Sequence, residues 1–410
     1  MSTVDPVRSV TVVGGGLAGF TVARELRARG FDGTLRIVDP QGLPYDRPPL
    51  SKAYLSREAE AASLHLAPPD WYADNEVEVI EGSAEKIAVD CGSVVLAGGS
   101  ELNSDAVVLA TGGRARRLPV PGGDLPGVVS LRDRADADAL RESLRPGVRL
   151  TIIGAGLIGA EVASTATKAG ARVTLVDPVP VPLAPAVGAE LADELHGMHT
   201  AHGVEIIEGV PERIVADGAE LLVDVERREG RGRVVADVVL TAIGIDVDTT
   251  LPDSAGLAVD AGIEVDVAGR TSNPAVWAAG DGVRTRSADG TLHRRSEHWE
   301  AAMLSGTAVA CSILDEEIPA RPPAWFWTDR YGVHVEAVGS MSAPGSTVLR
   351  RSDAQQVAFR LDNDGVLVGC AAIDAGKVLR AAKRLIMRGA RVGADELADP
   401  TVDLKKVGRK

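Results

Sequence analysis

SVTVVGGGLAG at residues 9–19 and RLTIIGAGLIG at residues 149–159 are two versions of one pattern. In each, a β-branched apolar run leads into a Gly-x-Gly-x-x-Gly turn, and a helix-forming stretch follows the turn. A second apolar run then ends in an acidic residue, Asp39 in the first copy and Asp177 in the second. The glycines recur 140 residues apart, which predicts two duplicated strand–turn–helix–strand units rather than a short-period repeat.

Each part of this pattern suits the binding of a dinucleotide. The first glycine allows the tight turn, the second lets the backbone approach a pyrophosphate, and the third lets helix and strand pack closely. The helix start presents unpaired N–H groups to the phosphates, and the acid accepts hydrogen bonds from ribose hydroxyls. We therefore expect one site at Gly14, Gly16, Leu17, Ala18 and Asp39, and another at Gly154, Gly156, Leu157, Ile158 and Asp177.

Other apolar runs complete the predicted domains. Residues 106–112 and 238–244 end in small-residue turns, so Thr111, Gly112 and Gly244 are further candidate cofactor contacts. Residues 276–281 form a third strand end of this kind. Beyond Pro322-Pro323, short alternating runs near 332–339, 346–350, 355–361 and 366–373 precede a helical pattern near 376–388. The predicted fold is α/β, with two Rossmann-like dinucleotide-binding domains and a small α+β C-terminal domain.

Charge and hydropathy exclude several classes of function. The 410-residue chain has a formal net charge of −14, which argues against nucleic-acid binding because phosphates require clustered lysine and arginine. No apolar run approaches the ~20 residues of a membrane span. Residues 1–10 lack the apolar stretch of a signal peptide, so we expect a cytoplasmic protein that does not bind membranes.

Two sets of potential ligands are interpreted as structural. The cysteines Cys91, Cys311 and Cys370 lie far apart in sequence, which predicts inert thiols rather than a redox pair. The three histidines within residues 196–202 have no cysteine nearby, and we expect no metal site there.

The acid of the second unit also indicates which nicotinamide cofactor binds. A carboxylate at Asp177 would repel the 2′-phosphate of NADP, and residues 178–182 contain no arginine that could bind it. We therefore expect NAD(H) at the second site.

The segment PYDRPPLSK at residues 44–52 points to a flavin at the first site. Its three prolines stiffen the loop, and Arg47 and Lys52 are cations held within it. A cation beside a flavin would stabilise the negative charge of the reduced ring. The alternative is a rigid surface loop with solvated charges.

With this loop, the chain resembles the FAD-dependent NADH:ferredoxin reductases of bacterial oxygenase systems, of the putidaredoxin reductase and biphenyl dioxygenase reductase type. These are glutathione-reductase-like two-dinucleotide flavoproteins, and the resemblance covers nearly the whole chain. Besides the two turns and the loop, the resemblance rests on ATGG at 110–113, AAGD at 278–281, Glu297-His298-Trp299 and PAWFWTDRY at 323–331.

The resemblance implies cofactors, domains and roles. FAD would bind at the first turn with Arg47, Lys52, Ala84, Arg132, Asp281 and Trp299, and NADH at the second turn. Lys52, Glu161 and Trp327 would form the catalytic set, with Glu161 near the nicotinamide, where it can pair with Lys52, and Trp327 beside the flavin. The implied FAD-binding domain is 1–118 with 245–320, the NAD-binding domain 119–244, and the C-terminal domain 321–410.

The implied activity is hydride transfer from NADH to FAD, followed by single-electron transfer to a [2Fe-2S] ferredoxin that feeds a monooxygenase or dioxygenase. The protein would be a monomer or homodimer. Open alternatives are a rubredoxin or nitrite-reductase-type electron donor, an NADH oxidase, and a redox-sensing flavoprotein similar to apoptosis-inducing factor. Departures from the family pattern occur at residues 244–248, Ser305 and 326–331.

Two basic groups are candidate docking sites for the partner protein. One consists of Arg284, Arg286, Arg294 and Arg295, and the other of Lys377, Arg380, Lys383, Arg384 and Arg388.

Overall fold

The computed structural model describes residues 7–88, 92–352 and 355–407. The helices in these ranges are α1 Leu17–Ala28, α2 Pro69–Asp74, α3 Arg134–Ser143, α4 Leu157–Lys168, α5 Ala184–Val187, α6 Ala189–Ala201, α7 Thr250–Ser254, α8 Trp299–Ile313, α9 Gly376–Met387 and α10 Ala394–Ala398. Short 3-10 turns form at Pro48–Ser51 and Ala61–Leu64.

The strands in the same ranges are β1 Ser9–Val13, β2 Thr34–Asp39, β3 Val77–Glu81, β4 Ala84–Ala88, β5 Ser93–Leu96, β6 Glu101–Asn103, β7 Ala106–Leu109, β8 Arg114–Ala115, β9 Val128–Ser130, β10 Arg149–Ile153, β11 Arg172–Asp177, β12 Glu205–Asp217, β13 Glu220–Arg227, β14 Gly230–Ala236, β15 Val238–Thr241, β16 Ile245–Asp246, β17 Ile263–Val265, β18 Val276–Ala278, β19 Val283–Thr285, β20 Trp325–Arg330, β21 Val333–Gly339, β22 Ser346–Ser352, β23 Gln355–Leu361 and β24 Leu367–Ile373.

The chain divides into two compact units. Unit 1 comprises residues 1–47, 60–114 and 245–321, and unit 2 comprises residues 48–59, 115–244 and 322–410. The segment 48–59, which the sequence prediction assigned to the FAD-binding domain, belongs to unit 2. The three-domain boundaries stay a prediction.

Unit 1 is built on a parallel five-stranded sheet in the order β18-β7-β1-β2-β3. The apolar run predicted at residues 9–13 forms the central strand, whose last four residues are buried. Helices α1 and α8 pack against each other, and Gly306 of α8 has no room for a side chain because an ideal Cβ would lie 2.6 Å from the carbonyl oxygen of Ala18. This arrangement brings the ends of β1, β7 and β18 to one edge of the sheet.

Unit 2 contains the second dinucleotide-type sheet, in the order β14-β13-β12-β11-β10-β15-β9. Strands β9, β15, β10, β11 and β12 run parallel, and β12, β13 and β14 extend the sheet as antiparallel hairpins. A separate antiparallel sheet, β20-β21-β24-β23-β22, carries α9 on one face. The predicted C-terminal runs and helix are confirmed, whereas β20 and the β13–β14 hairpin were missed.

Two cysteines lie where the sequence interpretation expected inert thiols. Cys311 and Cys370 are free and buried, and burial raises the pKa of each thiol. Cys91 lies outside the described residues. Within the described ranges, no helix is both long enough and apolar enough to cross a membrane.

Candidate functional site

The first Gly-rich turn, in unit 1, has the shape that its sequence predicts. Gly14 has a φ of +110°, and an ideal Cβ there would lie 2.3 Å from the carbonyl oxygen of Ala110. A Cβ at Gly19 would lie 2.0 Å from the carbonyl oxygen of Gly14. Gly16 differs because nothing lies within 4 Å of its Cβ position. The first and third glycines are therefore required by the fold, while the second leaves open space at the start of α1.

The second turn, in unit 2, repeats this geometry. Gly154 has a φ of +102°, and its ideal Cβ would lie 2.4 Å from the carbonyl oxygen of Ala242. A Cβ at Gly159 would lie 1.9 Å from the carbonyl oxygen of Gly154, while the space at Gly156 is open. No side chain of the described residues caps the start of α1 or α4, so the N–H groups of their first turns stay available for an anion. Both turns thus fit the pyrophosphate of a dinucleotide.

The acids that follow the two turns are held in the same way. One oxygen of Asp39 accepts the N–H of Gly15 at 2.6 Å, and the other accepts the N–H of Gln41 at 2.8 Å. Asp177 accepts the N–H groups of Ala155 at 2.7 Å and Val179 at 2.8 Å. Each carboxylate therefore braces its own turn, and its remaining lone pairs can accept ribose hydroxyls.

A cavity of about 170 Å³ lies beside the second turn, entirely within unit 2. It contains two carboxylates, because Asp177 of β11 and Glu208 of β12 are register partners on adjacent parallel strands. Among the described residues, its lining is Ala155, Leu175, Asp177, Val179, Pro180, His196, Ile206 and Glu208. No lysine or arginine is in this lining, which fits a ribose without a 2′-phosphate.

Unit 1 brings two predicted flavin-side segments together. The indole N–H of Trp299, at the start of α8, donates to the Asp46 carboxylate at 2.9 Å. Asp46 belongs to the predicted loop at 44–52, next to the half-buried Arg47. Trp299 is therefore anchored by the loop rather than packed as a purely apolar side chain.

The turn after β18 contacts the first Gly-rich unit. A Cβ at Gly280 would lie 2.9 Å from the side chain of Ala18, so two small residues are needed at this approach. The Gly280 N–H donates to the Ser305 hydroxyl at 2.9 Å, and a Cβ at Gly282 would lie 2.8 Å from the carbonyl oxygen of Gly112. Ser305, which the sequence showed only as a departure from the family pattern, thus holds the turn that carries Asp281.

Two other predicted contacts lie at the same sheet edge of unit 1. Thr111 lies two residues beyond the end of β7 and precedes Gly112, which has a φ of +64°. Ala84 starts β4 shortly after Gly82, whose N–H donates to the carbonyl oxygen of Asp39 at 3.1 Å. Both positions therefore lie shortly after the ends of strands, Thr111 after β7 and Ala84 after β3, as expected for contacts to a nucleotide.

Glu161 is the centre of a buried polar cluster in unit 2. It is 4% exposed, and one carboxylate oxygen pairs with the Lys52 ammonium at 2.9 Å and accepts the Ser51 hydroxyl at 2.5 Å. The other oxygen accepts the Thr328 hydroxyl at 2.6 Å, and Arg330 donates to Thr328 Oγ1 at 3.2 Å. The predicted pair Lys52–Glu161 is thus formed, while Ser51, Thr328 and Arg330 were not predicted.

The remaining predicted residues of unit 2 lie apart from that cluster. Trp327 is half-buried on the opposite face of β20 from Thr328, and its ring stacks on Trp325 with the centroids 5.1 Å apart. Arg132 lies in the turn before α3, where its N–H donates to Asp136 at 2.8 Å. Gly244, with a φ of +96°, ends the loop after β15.

The histidines of α6 form an aromatic cluster with Tyr331. His199 is 1% exposed and its Nδ1 lies 2.7 Å from the Tyr331 hydroxyl, while the His202 ring stacks on Tyr331 at 4.1 Å. Burial lowers the pKa of His199 to about 3 and raises the pKa of Tyr331 to about 12. Within the described ranges, no group of three or more His, Cys, Asp or Glu side chains is arranged to hold a metal ion.

The two basic groups differ in how far their charges are neutralised. Arg284, Arg286 and Arg295 form ion pairs with acidic residues of unit 1 at 2.5–2.9 Å, and Arg294 is exposed. The exposed face of α9 carries Lys377, Arg380, Arg384 and, just beyond it, Arg388, none of which pairs with an acid in the described part of the chain. The α9 surface, defined by these four residues, therefore retains its positive charge.

Comparisons with known proteins agree with this geometry. The family model described as pyridine nucleotide-disulphide oxidoreductase matches residues 8–306, and the one described as reductase C-terminal matches residues 325–408. The ferredoxin–NAD(+) reductase subunit of the benzene 1,2-dioxygenase system of Pseudomonas putida is 37% identical over 409 residues, covering 98% of this chain and 97% of the relative. The ferredoxin reductase component of chlorobenzene dioxygenase from Cupriavidus sp. (strain PS12) is 37% identical, covering 95% of each chain.

Solved structures show the same likeness over the whole chain. The ferredoxin reductase for the CYP199A2 system from Rhodopseudomonas palustris has a TM-score of 0.91 and 30% identity, covering 97% of this chain and 99% of that one. Putidaredoxin reductase in its covalent complex with putidaredoxin has a TM-score of 0.88 and 31% identity, covering 98% of each chain. The predicted glutathione-reductase-like α/β fold and the resemblance are thereby confirmed, and the chain belongs to the pyridine nucleotide-disulphide oxidoreductase family.

Proposed function

We propose that this protein is an NADH:ferredoxin oxidoreductase with FAD and NADH as cofactors. The observation that carries the proposal is the pair of matching turns, each with open space at its second glycine and an uncapped helix behind it. Bound FAD supplies the chemistry that no side chain has, since it accepts a hydride from NADH and releases the two electrons singly.

The two turns have different roles in this proposal. Gly16 and Asp39 hold FAD, because unit 1 also carries residues 44–47 of the loop, where Asp46 anchors Trp299. Gly156 and Asp177 hold NADH, because the adjacent cavity contains carboxylates and no cation. Positioning of the nicotinamide accounts for most of the rate of hydride transfer, since that step requires no proton relay.

Lys52 and Glu161 act together at the reacting end. Glu161 keeps the Lys52 ammonium in place at 2.9 Å, and the side chain of Lys52 is only 18% exposed. A cation held in this way stabilises negative charge where the reduced ring develops it.

The cysteines support electron transfer rather than thiol chemistry. Disulfide reductases carry their redox cysteines either in the loop that corresponds to residues 42–52 or within the second nucleotide domain, and this chain has no cysteine at residues 42–52 or 119–244. Cys311 lies in unit 1 and Cys370 in unit 2, and both are buried. A thiol–disulfide step is therefore not the outlet for the electrons, and in this proposal they pass to a protein partner.

The partner in this proposal is an acidic [2Fe-2S] ferredoxin that supplies an oxygenase, and the α9 surface is its docking site. Its four cations lack acidic partners in the described ranges, whereas three of the four arginines in the group at 284–295 are neutralised by ion pairs. Complementary charge speeds the encounter of the two proteins and selects the partner. A cytoplasmic location stays a prediction from the sequence.

The decisive experiment measures cytochrome c reduction by the purified yellow protein with NADH or NADPH, with and without a [2Fe-2S] ferredoxin. We expect NADH to be preferred and the ferredoxin to stimulate the rate. A protein that binds no flavin, or that passes electrons from NADH only to oxygen, would contradict the proposal. Arg384→Glu should raise the KM for ferredoxin, and Arg294→Glu is the matched control from the other basic group.

A further inference from the structure

A row of buried polar side chains in unit 2 runs from Arg330 to Lys52. Arg330 Nη2 donates to Thr328 Oγ1 at 3.2 Å, and the Thr328 hydroxyl donates to Glu161 Oε1 at 2.6 Å. The other carboxylate oxygen, Oε2, contacts Lys52 Nζ at 2.9 Å. Three consecutive contacts thus link a fully buried arginine to the ammonium group at the proposed reacting end.

The direction of each hydrogen bond in this row follows from the chemistry of the groups. A guanidinium can only donate, so Thr328 Oγ1 must accept from Arg330. A threonine hydroxyl has a single hydrogen, and the carboxylate of Glu161 can only accept it. Because Arg330 donates to Thr328 Oγ1, the Thr328 hydroxyl hydrogen is directed to Glu161 Oε1.

The burial of Arg330 has a cost in folding free energy, which argues that its hydrogen bond to Thr328 serves a role. Arg330 is 3% exposed, and burial lowers the pKa of its guanidinium. Its Nε has no hydrogen-bond partner among the described residues. A buried, incompletely satisfied arginine destabilises a fold, and such groups are retained mainly where they serve a site.

The carboxylate needs support on its inner side. On Oε2, Glu161 meets Ser51 and the partly exposed Lys52, both from the segment 48–59. On Oε1, its partner is Thr328, which is fully buried on β20. Without that inner hydrogen bond, the carboxylate could rotate about its last bond and carry the ammonium with it.

We propose that Thr328 and Arg330 are positioning residues: their hydrogen bonds fix the Glu161 carboxylate and, through it, the Lys52 ammonium. Neither residue touches a cofactor in this inference. The kinetic part of its test rests on the proposed function, whereas the labelling of Lys52 does not depend on it.

The first measurement is single-turnover reduction of the flavin by NADH. Thr328→Val and Arg330→Met remove the row of hydrogen bonds, and each should slow hydride transfer about tenfold, the effect of losing one hydrogen bond to a charged group, with less than about threefold change in the KM for NADH. Thr328→Ser keeps the hydroxyl and Arg330→Gln keeps a donor without the charge, so both should retain the wild-type rate. The double variant of Thr328→Val with Arg330→Met should be no slower than Thr328→Val alone, because the two residues act in series.

The second measurement is trace acetylation of lysines in the whole holoprotein, read by mass spectrometry. A loosened ion pair exposes its amine, so Thr328→Val and Arg330→Met should raise the labelling rate of Lys52 severalfold. Lys168, an exposed lysine of the same unit that pairs with Glu58, is the internal control and should not change.

The outcomes separate this inference from a structural role and from failure of the proposed function. Arg350→Gln removes another buried arginine of unit 2, which donates to the backbone carbonyls of Glu396, Leu397 and Val402. It should lower the unfolding temperature without changing the labelling of Lys52. If Arg330→Met behaves like Arg350→Gln, or if Arg330→Gln is as impaired as Arg330→Met, the positioning role of Thr328 and Arg330 is refuted. If NADH does not reduce the wild-type flavin, the proposed function fails, and the labelling of Lys52 still tests the positioning role.

Discussion

Replacing Glu208 with glutamine should weaken the preference for NADH over NADPH. Glu208 lines the cavity beside Asp177 and is exposed, and its side chain makes no hydrogen bond or ion pair with the described residues. The substitution therefore removes a charge and leaves the fold unchanged. Asp177 is less suitable for this test because its two oxygens also hold the backbone at Ala155 and Val179.

The size of the effect follows from the spacing of the strands. Adjacent strands lie about 4.8 Å apart, so a 2′-phosphate next to Asp177 would be about 7 Å from the Glu208 carboxylate. A single charge facing a doubly charged phosphate at about 7 Å costs about 1.2 kcal/mol in a water-like dielectric. Removing it should raise kcat/KM for NADPH about sevenfold.

The assay compares kcat/KM for NADH and NADPH with ferricyanide as the acceptor, so no ferredoxin is needed. The value for NADH should change by less than about twofold, and the gain for NADPH should shrink at high salt because the charges are solvent-exposed. Glu205→Gln is the matched control, since Glu205 lies on the same strand, outside the cavity lining, and accepts the Thr174 hydroxyl at 3.2 Å. An unchanged NADPH value, or an equal gain in the control, would refute the electrostatic reasoning.

Three further predictions concern the turns, the loop and the histidine cluster. Gly156→Ala should raise the KM for NADH at least tenfold at an unchanged unfolding temperature, because the added Cβ enters open space. Gly154→Ala should lower the unfolding temperature, because Gly154 has a positive φ and an added Cβ would clash with the backbone. Equal losses of stability in the two variants would contradict this prediction. Trp299→Phe should speed FAD release about tenfold, measured by dilution, because the hydrogen bond to the charged Asp46 is lost; unchanged release would contradict it. His199→Gln should reduce the loss of stability between pH 7 and pH 5, measured by thermal unfolding.

The direction of the pH effect follows from proton binding. Burial lowers the pKa of His199 from its ordinary 6.5 to about 3, so between these values the unfolded chain binds the proton and the folded chain does not. The stability due to neutral His199 is complete above pH 6.5. It falls by about 1.4 kcal/mol for each pH unit below that value, so the loss is about 2 kcal/mol at pH 5. His202→Gln, at an exposed neighbour, should leave this loss unchanged, and equal losses in wild type and His199→Gln would contradict the argument.

The two turns could be predicted because their geometry is a local property of consecutive residues. Gly14 and Gly154 need a positive φ, and the strands and helices around them show clear periodicity. The C-terminal strands and α9 were equally visible from alternation and helical spacing. By contrast, β20 was missed because its three aromatic residues, between prolines and a charged turn, show no clear alternation.

The surroundings of Glu161 could not be predicted in this way. Its pairing with Lys52 was implied by a family resemblance, and the hydroxyls of Ser51 and Thr328 were not foreseen. Similarly, Ser305 appeared in the sequence only as a departure, although its hydroxyl holds Gly280. Nothing in a local pattern specifies which distant hydroxyl completes the hydrogen bonding of a buried carboxylate.

The sequence by itself therefore determined two dinucleotide turns, the acids that follow them and the absence of a cysteine pair from the segment 42–52. Backbone sterics and side-chain chemistry act over a few residues, so they can be read along the chain. Only the tertiary structure decided that Lys52, Glu161, Thr328 and Arg330 form one cluster, because hydrogen bonds between residues more than 100 positions apart depend on how strands and helices pack.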